Sequence, residues 1–114
     1  MNEYILELGK KAKEASKKLA IIDTNTKNAV LTAVAKALIE KRELIKAENK
    51  KDLEYGKEKG ISSALLDRLE LTDSRIDGMA KSLIEIANFK DPIGEILEGW
   101  KHPDGMQILK QRVP

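Results

Sequence analysis

The chain has 114 residues, 41% of them hydrophobic and 35% charged, and its 21 basic and 19 acidic side chains leave a formal charge of +2. That length holds one ordinary domain, and the interspersed, nearly balanced charges argue against a strong field aimed at nucleic acid. The lack of cysteine excludes a disulfide framework, a thiolate metal site and a cysteine nucleophile within these residues, and the lack of any apolar run near the roughly 20 residues of a membrane span, or of a secretion signal at Met1 to Ile5, gives a cytoplasmic expectation.

The fold class expected is mainly α, closed by a β-hairpin. Ile5, Leu8, Ala12, Ala15 and Leu19 recur at spacings of three and four and predict an amphipathic helix over about 2–20. Its lysines, Lys10, Lys11, Lys13, Lys17 and Lys18, are interrupted by Glu7 and Glu14 and read as a solvated face rather than a polyanion site. Asp23 to Thr26 offer capping side chains, after which Val30, Ala33, Val34, Ala37, Leu38, Leu44 and Ile45 predict a helix over about 25–49. A short helix over about 51–59 ends at Gly60, where glycine takes a left-handed conformation at little steric cost. Ser62 or Ser63 caps a helix over about 63–69, and Thr72 caps another over about 73–89, with Ile76, Met79, Ala80, Leu83 and Ala87 on its inner stripe, stopped at Asp91-Pro92. The stripes of the helices at 2–20, 25–49 and 73–89 are expected to face one another.

Residues 95–113 read as a hairpin. Pro103 supplies the fixed φ of a type I turn and Gly105 the positive φ of a following bulge, so residues 103–105 form the loop. Residue 102 then faces 106, and outward counting sets Trp100 opposite Ile108, Glu98 opposite Lys110 and Ile96 opposite Arg112. A two-stranded ribbon is marginal in water and leaves both outer edges unpaired, so a covering strand or a second copy of the hairpin is expected.

Groups that could carry chemistry are sparse. The seven glycines never fall as G-x-G-x-x-G or as a phosphate-cradling loop. His102 is the single histidine and sits at the predicted hairpin end, where a surface role is the ordinary one. Asp67 and Arg68 in "LLDRL" suit a local ion pair better than a catalytic pair, and Trp100, with few aromatics near it, suits packing better than base stacking. No residue is named as catalytic, cofactor-binding or metal-ligating.

Four stretches, "NKKDLEYGKEKG", "LLDRLELTDSRI", "DPIGEILEGW" and "PDGMQILKQRVP", follow one another at a spacing that resembles the amino-terminal quarter of the gamma-glutamyl phosphate reductase (glutamate-5-semialdehyde dehydrogenase) family, within the aldehyde dehydrogenase superfamily. The resemblance implies a fragment of an α/β fold. Residues 1–92 would be the helical start of the NADP-binding domain and residues 93–114 a β-hairpin of the oligomerisation element. It further implies a cytoplasmic reductase of proline biosynthesis that converts L-glutamyl 5-phosphate to glutamate 5-semialdehyde with NADPH. In that family a cysteine thiolate displaces phosphate and hydride transfer reduces the thioester. The cysteine, an oxyanion-holding asparagine and the NADPH loops would lie beyond Pro114, so the chain alone is expected to be inactive, self-associating through the hairpin, without nucleic-acid or membrane partners. The alternatives are a free-standing helical protein-interaction module and a basic helical binder of nucleic acid or anionic surfaces through Lys10 to Lys18.

Overall fold

The computed structural model describes residues 2–114. The elements in chain order are α1 (Glu3–Leu19), α2 (Thr24–Glu40), α3 (Arg42–Glu58), α4 (Ser63–Leu69), α5 (Asp73–Ala87), β1 (Ile96–Lys101) and β2 (Gln107–Gln111). Five helices followed by an antiparallel hairpin match the expected fold class. The chain divides into two compact units, residues 2–26 with 89–114, and residues 27–88.

In the first unit, Asn2 caps α1 by accepting the Tyr4 amide at 2.9 Å, Glu3 lies in the first turn, and Lys17 and Lys18 lie in the last, so the end charges suit the helix dipole. No residue of α1 is buried, and Ile5, Leu8 and Leu19 are 54%, 46% and 59% exposed. The apolar stripe expected of α1 is present, and its residues stand exposed. A 3.6-residue pattern fixes which side of a helix is apolar but not what covers it. Asp23 accepts the Thr26 amide at 2.7 Å and caps α2; the Thr26 hydrogen bonds, side-chain first and then backbone, hold its carboxyl below the usual carboxylate range. Thr24 Oγ1 donates to Asp91 Oδ2 at 2.8 Å, and Asp91 Oδ1 accepts the Ile93 amide at 3.0 Å, turning the chain toward β1.

The hairpin closes as its turn residues dictate. The Gly105 amide donates to the His102 carbonyl at 2.8 Å, Gly105 has φ +95°, and the His102 amide donates to the Met106 carbonyl. Trp100 faces Ile108 and Glu98 faces Lys110 as the register predicts, but Ile96 faces Gln111 rather than Arg112. Leu97 is the extra residue of a bulge in β1. Beyond it Arg112 donates its amide to the Glu95 carbonyl at 2.9 Å and accepts the Gly94 amide at 3.1 Å, while Gln111 Nε2 donates to the Gly94 carbonyl at 2.9 Å. Those bonds tie β2 to the segment before β1, one residue out of the simple count.

The second unit is built around Ile76, fully buried, with Ala35 and Ala80 also buried. The sequence reading of one helix over 25–49 and a short one over 51–59 is corrected here: the break falls at Lys41 (φ −102°, ψ 17°), giving two helices of 17 residues each. Asn49 lies inside α3 rather than at a helix end, and its side chain is buried. Its Nδ2 donates to the Leu69 carbonyl at 2.9 Å and its Oδ1 accepts the Leu71 amide at 2.8 Å, fastening α3 to the linker between α4 and α5.

Gly60 (φ +75°) ends α3 in a Schellman arrangement, with the Ile61 amide on the Gly56 carbonyl and the Gly60 amide on the Lys57 carbonyl, each at 3.1 Å. Gly56 is buried, and a Cβ there would stand 2.7 Å from Ile61 Cδ1 and 3.2 Å from Leu66 Cδ2, so its bare backbone is what lets α4 approach. Ser62 caps α4 through the Leu65 amide at 3.3 Å, and Thr72 caps α5 through the Arg75 amide at 3.2 Å. α5 ends at Ala87 with Asn88 as its cap, slightly short of the predicted 89.

Candidate interaction surfaces

The residues singled out for possible chemistry are not brought together. His102 is exposed at the hairpin end with Nδ1 3.1 Å from Asp104 Oδ1. Asp67 pairs with Arg75 at 3.2 Å rather than with Arg68, and Arg75 also donates to the Asp67 and Glu70 carbonyls. Trp100 remains 47% exposed opposite Ile108. On α1, Lys11 pairs with Glu7 at 3.7 Å. Among the described residues there is no cluster of three or more His, Cys, Asp or Glu placed to hold a metal ion, and no helix long and apolar enough to cross a membrane.

The second unit carries its strongest charge constellation where α3 begins. Arg42 Nη1 reaches Asp73 Oδ1 at 3.3 Å and Nη2 reaches Asp77 Oδ1 at 2.6 Å, while Lys46 Nζ lies 3.0 Å from Asp73 Oδ1 and 3.1 Å from Glu43 Oε1. The Lys46 and Arg42 hydrogen bonds hold the Asp73 carboxyl below its ordinary range against the opposing effect of desolvation. Asp77 above all, and Asp73 after it, raise the Arg42 guanidinium; Asp73 and then Glu43 raise the Lys46 ammonium. The group was missed in the sequence although its signal is present there: basic residues at 42 and 46 and acidic ones at 73 and 77 are each four apart, so each pair lies along one helix face.

Two surfaces stand open for contacts. In the second unit an open groove of about 960 Å³ is floored by Val34, Leu38, Leu71, Met79 and Leu83, and the Asp67–Arg75 pair lies at its rim. In the first unit the hairpin is a two-stranded sheet with Ile96, Trp100 and Leu109 half exposed. At its open end Glu95 meets Lys90 at 2.7 Å and Arg112 at 3.3 Å, and the Lys90 bond, ahead of the Arg112 charge, keeps its carboxyl below the usual range.

Fold and surface together describe a set of five helices and a two-stranded hairpin, in which exposed apolar faces rather than reacting groups dominate. Its particular likeness is to the amino-terminal region of gamma-glutamyl phosphate reductase, to which the chain corresponds in sequence and fold. It is 46% identical over 114 residues to the gamma-glutamyl phosphate reductase of Clostridium acetobutylicum, covering 100% of this chain and 27% of that one. It is 49% identical over 110 residues to that of Campylobacter curvus, covering 96% and 25%. The crystal structure of the Thermotoga maritima reductase matches with a TM-score of 0.87 at 39% identity, over 96% of this chain and 26% of that one, and the Saccharomyces cerevisiae reductase with 0.79 at 27% identity, over 90% and 26%. The chain thus spans about a quarter of the length of the curated relatives it matches. No protein-family model matches it.

Proposed function

We propose that these residues form the amino-terminal part of a cytoplasmic NADPH-dependent reductase that converts L-glutamyl 5-phosphate to glutamate 5-semialdehyde in proline biosynthesis. The observation that carries the reading is likeness to reductases of that name, over the whole chain in sequence and over 96% of it in fold. Bound NADPH would supply hydride to a thioester carbonyl carbon, with the thiolate as the leaving group, phosphate having left when that thioester formed. No residue here is assigned to that cofactor: the glycine spacing provides no phosphate cradle, and no cysteine is present to form the acyl intermediate.

Residues 1–92 are read as the helical start of the NADP-binding domain and residues 93–114 as a β-hairpin of the oligomerisation element. The part played by this chain is structural. Its uncovered helix faces suit burial against a larger body, and its open hairpin edges suit pairing with a further strand, including one from another subunit.

The test is a chimera in which these 114 residues replace the matching region of the Clostridium acetobutylicum reductase, introduced into a strain that needs proline because it lacks the enzyme. Growth without proline is expected from the chimera and not from the chain alone. A well-expressed, folded chimera that fails to restore growth would count against the reading, as would turnover by the purified chain above a no-enzyme blank.

A further inference from the structure

Residues 30–47 contain no proline, glycine or serine, and their side chains are consistent with one continuous helix, yet the helix breaks at Lys41. Sharp helix bends arise at proline, at glycine or serine pairs, at π-bulges, or where a side chain enters the i→i−4 ladder. The sequence removes the first two causes, and no π turn occurs among the described residues. The fourth is present. Arg42 Nε donates to the Ile39 carbonyl at 3.4 Å, in the last turn of α2, while the same guanidinium reaches Asp73 and Asp77 at 3.3 and 2.6 Å. All three of its nitrogens are engaged, and the side chain is only 25% exposed.

We propose that Arg42 sets the bend at Lys41 as an ionic joint, its guanidinium tying the end of α2 and the first turns of α5 to the start of α3, and that releasing this joint lets residues 24–58 straighten toward one helix. The backbone is prepared for such a change, because helical bonds flank the break on both sides: the Lys41 amide donates to the Ala37 carbonyl at 2.9 Å and the Ile45 amide to the Lys41 carbonyl at 3.0 Å. Only the fork geometry of arginine spans the carbonyl and both carboxylates; a lysine at 42 would keep the charge and lose the span. The charged groups facing Arg42 are Asp73 and Asp77 on α5, with Lys46 and Glu43 on α3 completing the cluster around Asp73. Lys46 continues to hold Asp73 when Arg42 is removed, so loss of the bend need not detach α3 from α5.

A chain without cysteine accepts two spin labels cleanly, at Ala33→Cys on α2 and Lys50→Cys on α3, both exposed. In one continuous helix their Cα atoms would lie about 26 Å apart, and a bend shortens that separation. The expected result is a short, narrow distribution for the parent, with weight moving toward the longer separation in Arg42→Gln and Arg42→Lys. An Arg42→Gln distribution identical to the parent, with helical circular dichroism retained, overturns the proposal. Should Arg42→Gln lose its helical signal, Asp77→Asn takes its place: it removes the 2.6 Å contact and leaves Asp73 at the start of α5. A shift there supports the joint and an unchanged distribution refutes it.

Discussion

At the level of single residues, Asn49 shows how a polar side chain can specify packing without serving as a reactive group. Its amide substitutes for a backbone partner at two places at once, accepting from Leu71 and donating to Leu69, and no buried side-chain polar atom among the described residues lacks a partner. Asn49→Ala would leave a carbonyl and an amide without those bonds in a half-dry setting, a loss of about 1–3 kcal/mol. The expected outcome is a lower urea midpoint with an unchanged slope, measured by circular dichroism. An unchanged midpoint would mean that water replaces the side chain without penalty. The same residue explains why "NKKDLEYGKEKG" and "LLDRLELTDSRI" carry no recognisable chemistry: Asn49 and Gly56 of the first meet Leu66, Leu69 and Leu71 of the second, and Arg75 folds the second upon itself. These stretches encode a packing corner.

At the level of elements, local chemistry was legible wherever it was local. Ser62, Thr72, Gly60, Pro103 and Gly105 act within a few residues of themselves, and each cap or turn appears where the sequence puts it. The Lys41 break and the Leu97 bulge were not legible, because residues bonded at each lie far along the chain, Asp73 and Asp77 beside Arg42 for one and Gln111 and Arg112 for the other. The interaction surfaces were half legible: the apolar stripes could be read, but which of them stayed uncovered could not. The hairpin's open end gives a pH test. Glu95 is held below the ordinary glutamate value of about 4.3 by Lys90 and then Arg112, so it favours the folded form at neutral pH, and this contribution disappears as pH falls through the depressed value. The Arg112 amide should therefore keep its hydrogen-exchange protection from pH 7 down to about 5 and lose it in more acid solution. Glu95→Gln should weaken that protection at pH 7 and flatten the acid step, as followed by NMR; a step that persists unchanged in the variant would assign it to another carboxylate.

At the level of the whole molecule, apolar side chains are unevenly used. Ile76 is fully enclosed, whereas Tyr4, Ile5, Leu6, Leu8 and Leu19 of α1 are between 46% and 66% exposed. Enclosing one such large side chain contributes about 1.5–3 kcal/mol, so a helix with no buried residue forgoes the main source of helix stability in proteins. Its caps and end charges remain, but 17 residues are near the length at which an isolated helix is marginal in water. The α1 amides of the dilute chain should accordingly exchange at least about tenfold faster than those of α5 around Ile76 and Ala80, a difference of about 1.4 kcal/mol in opening free energy. Raising the concentration should slow α1 exchange if its stripe finds a second copy, and the chimera should slow it at every concentration because the larger body covers the stripe. Protection of α1 equal to that of α5 in the dilute chain, and unaltered on further dilution, would show instead that α1 is held within a single molecule, and the role of this face as a docking surface would fall with that result.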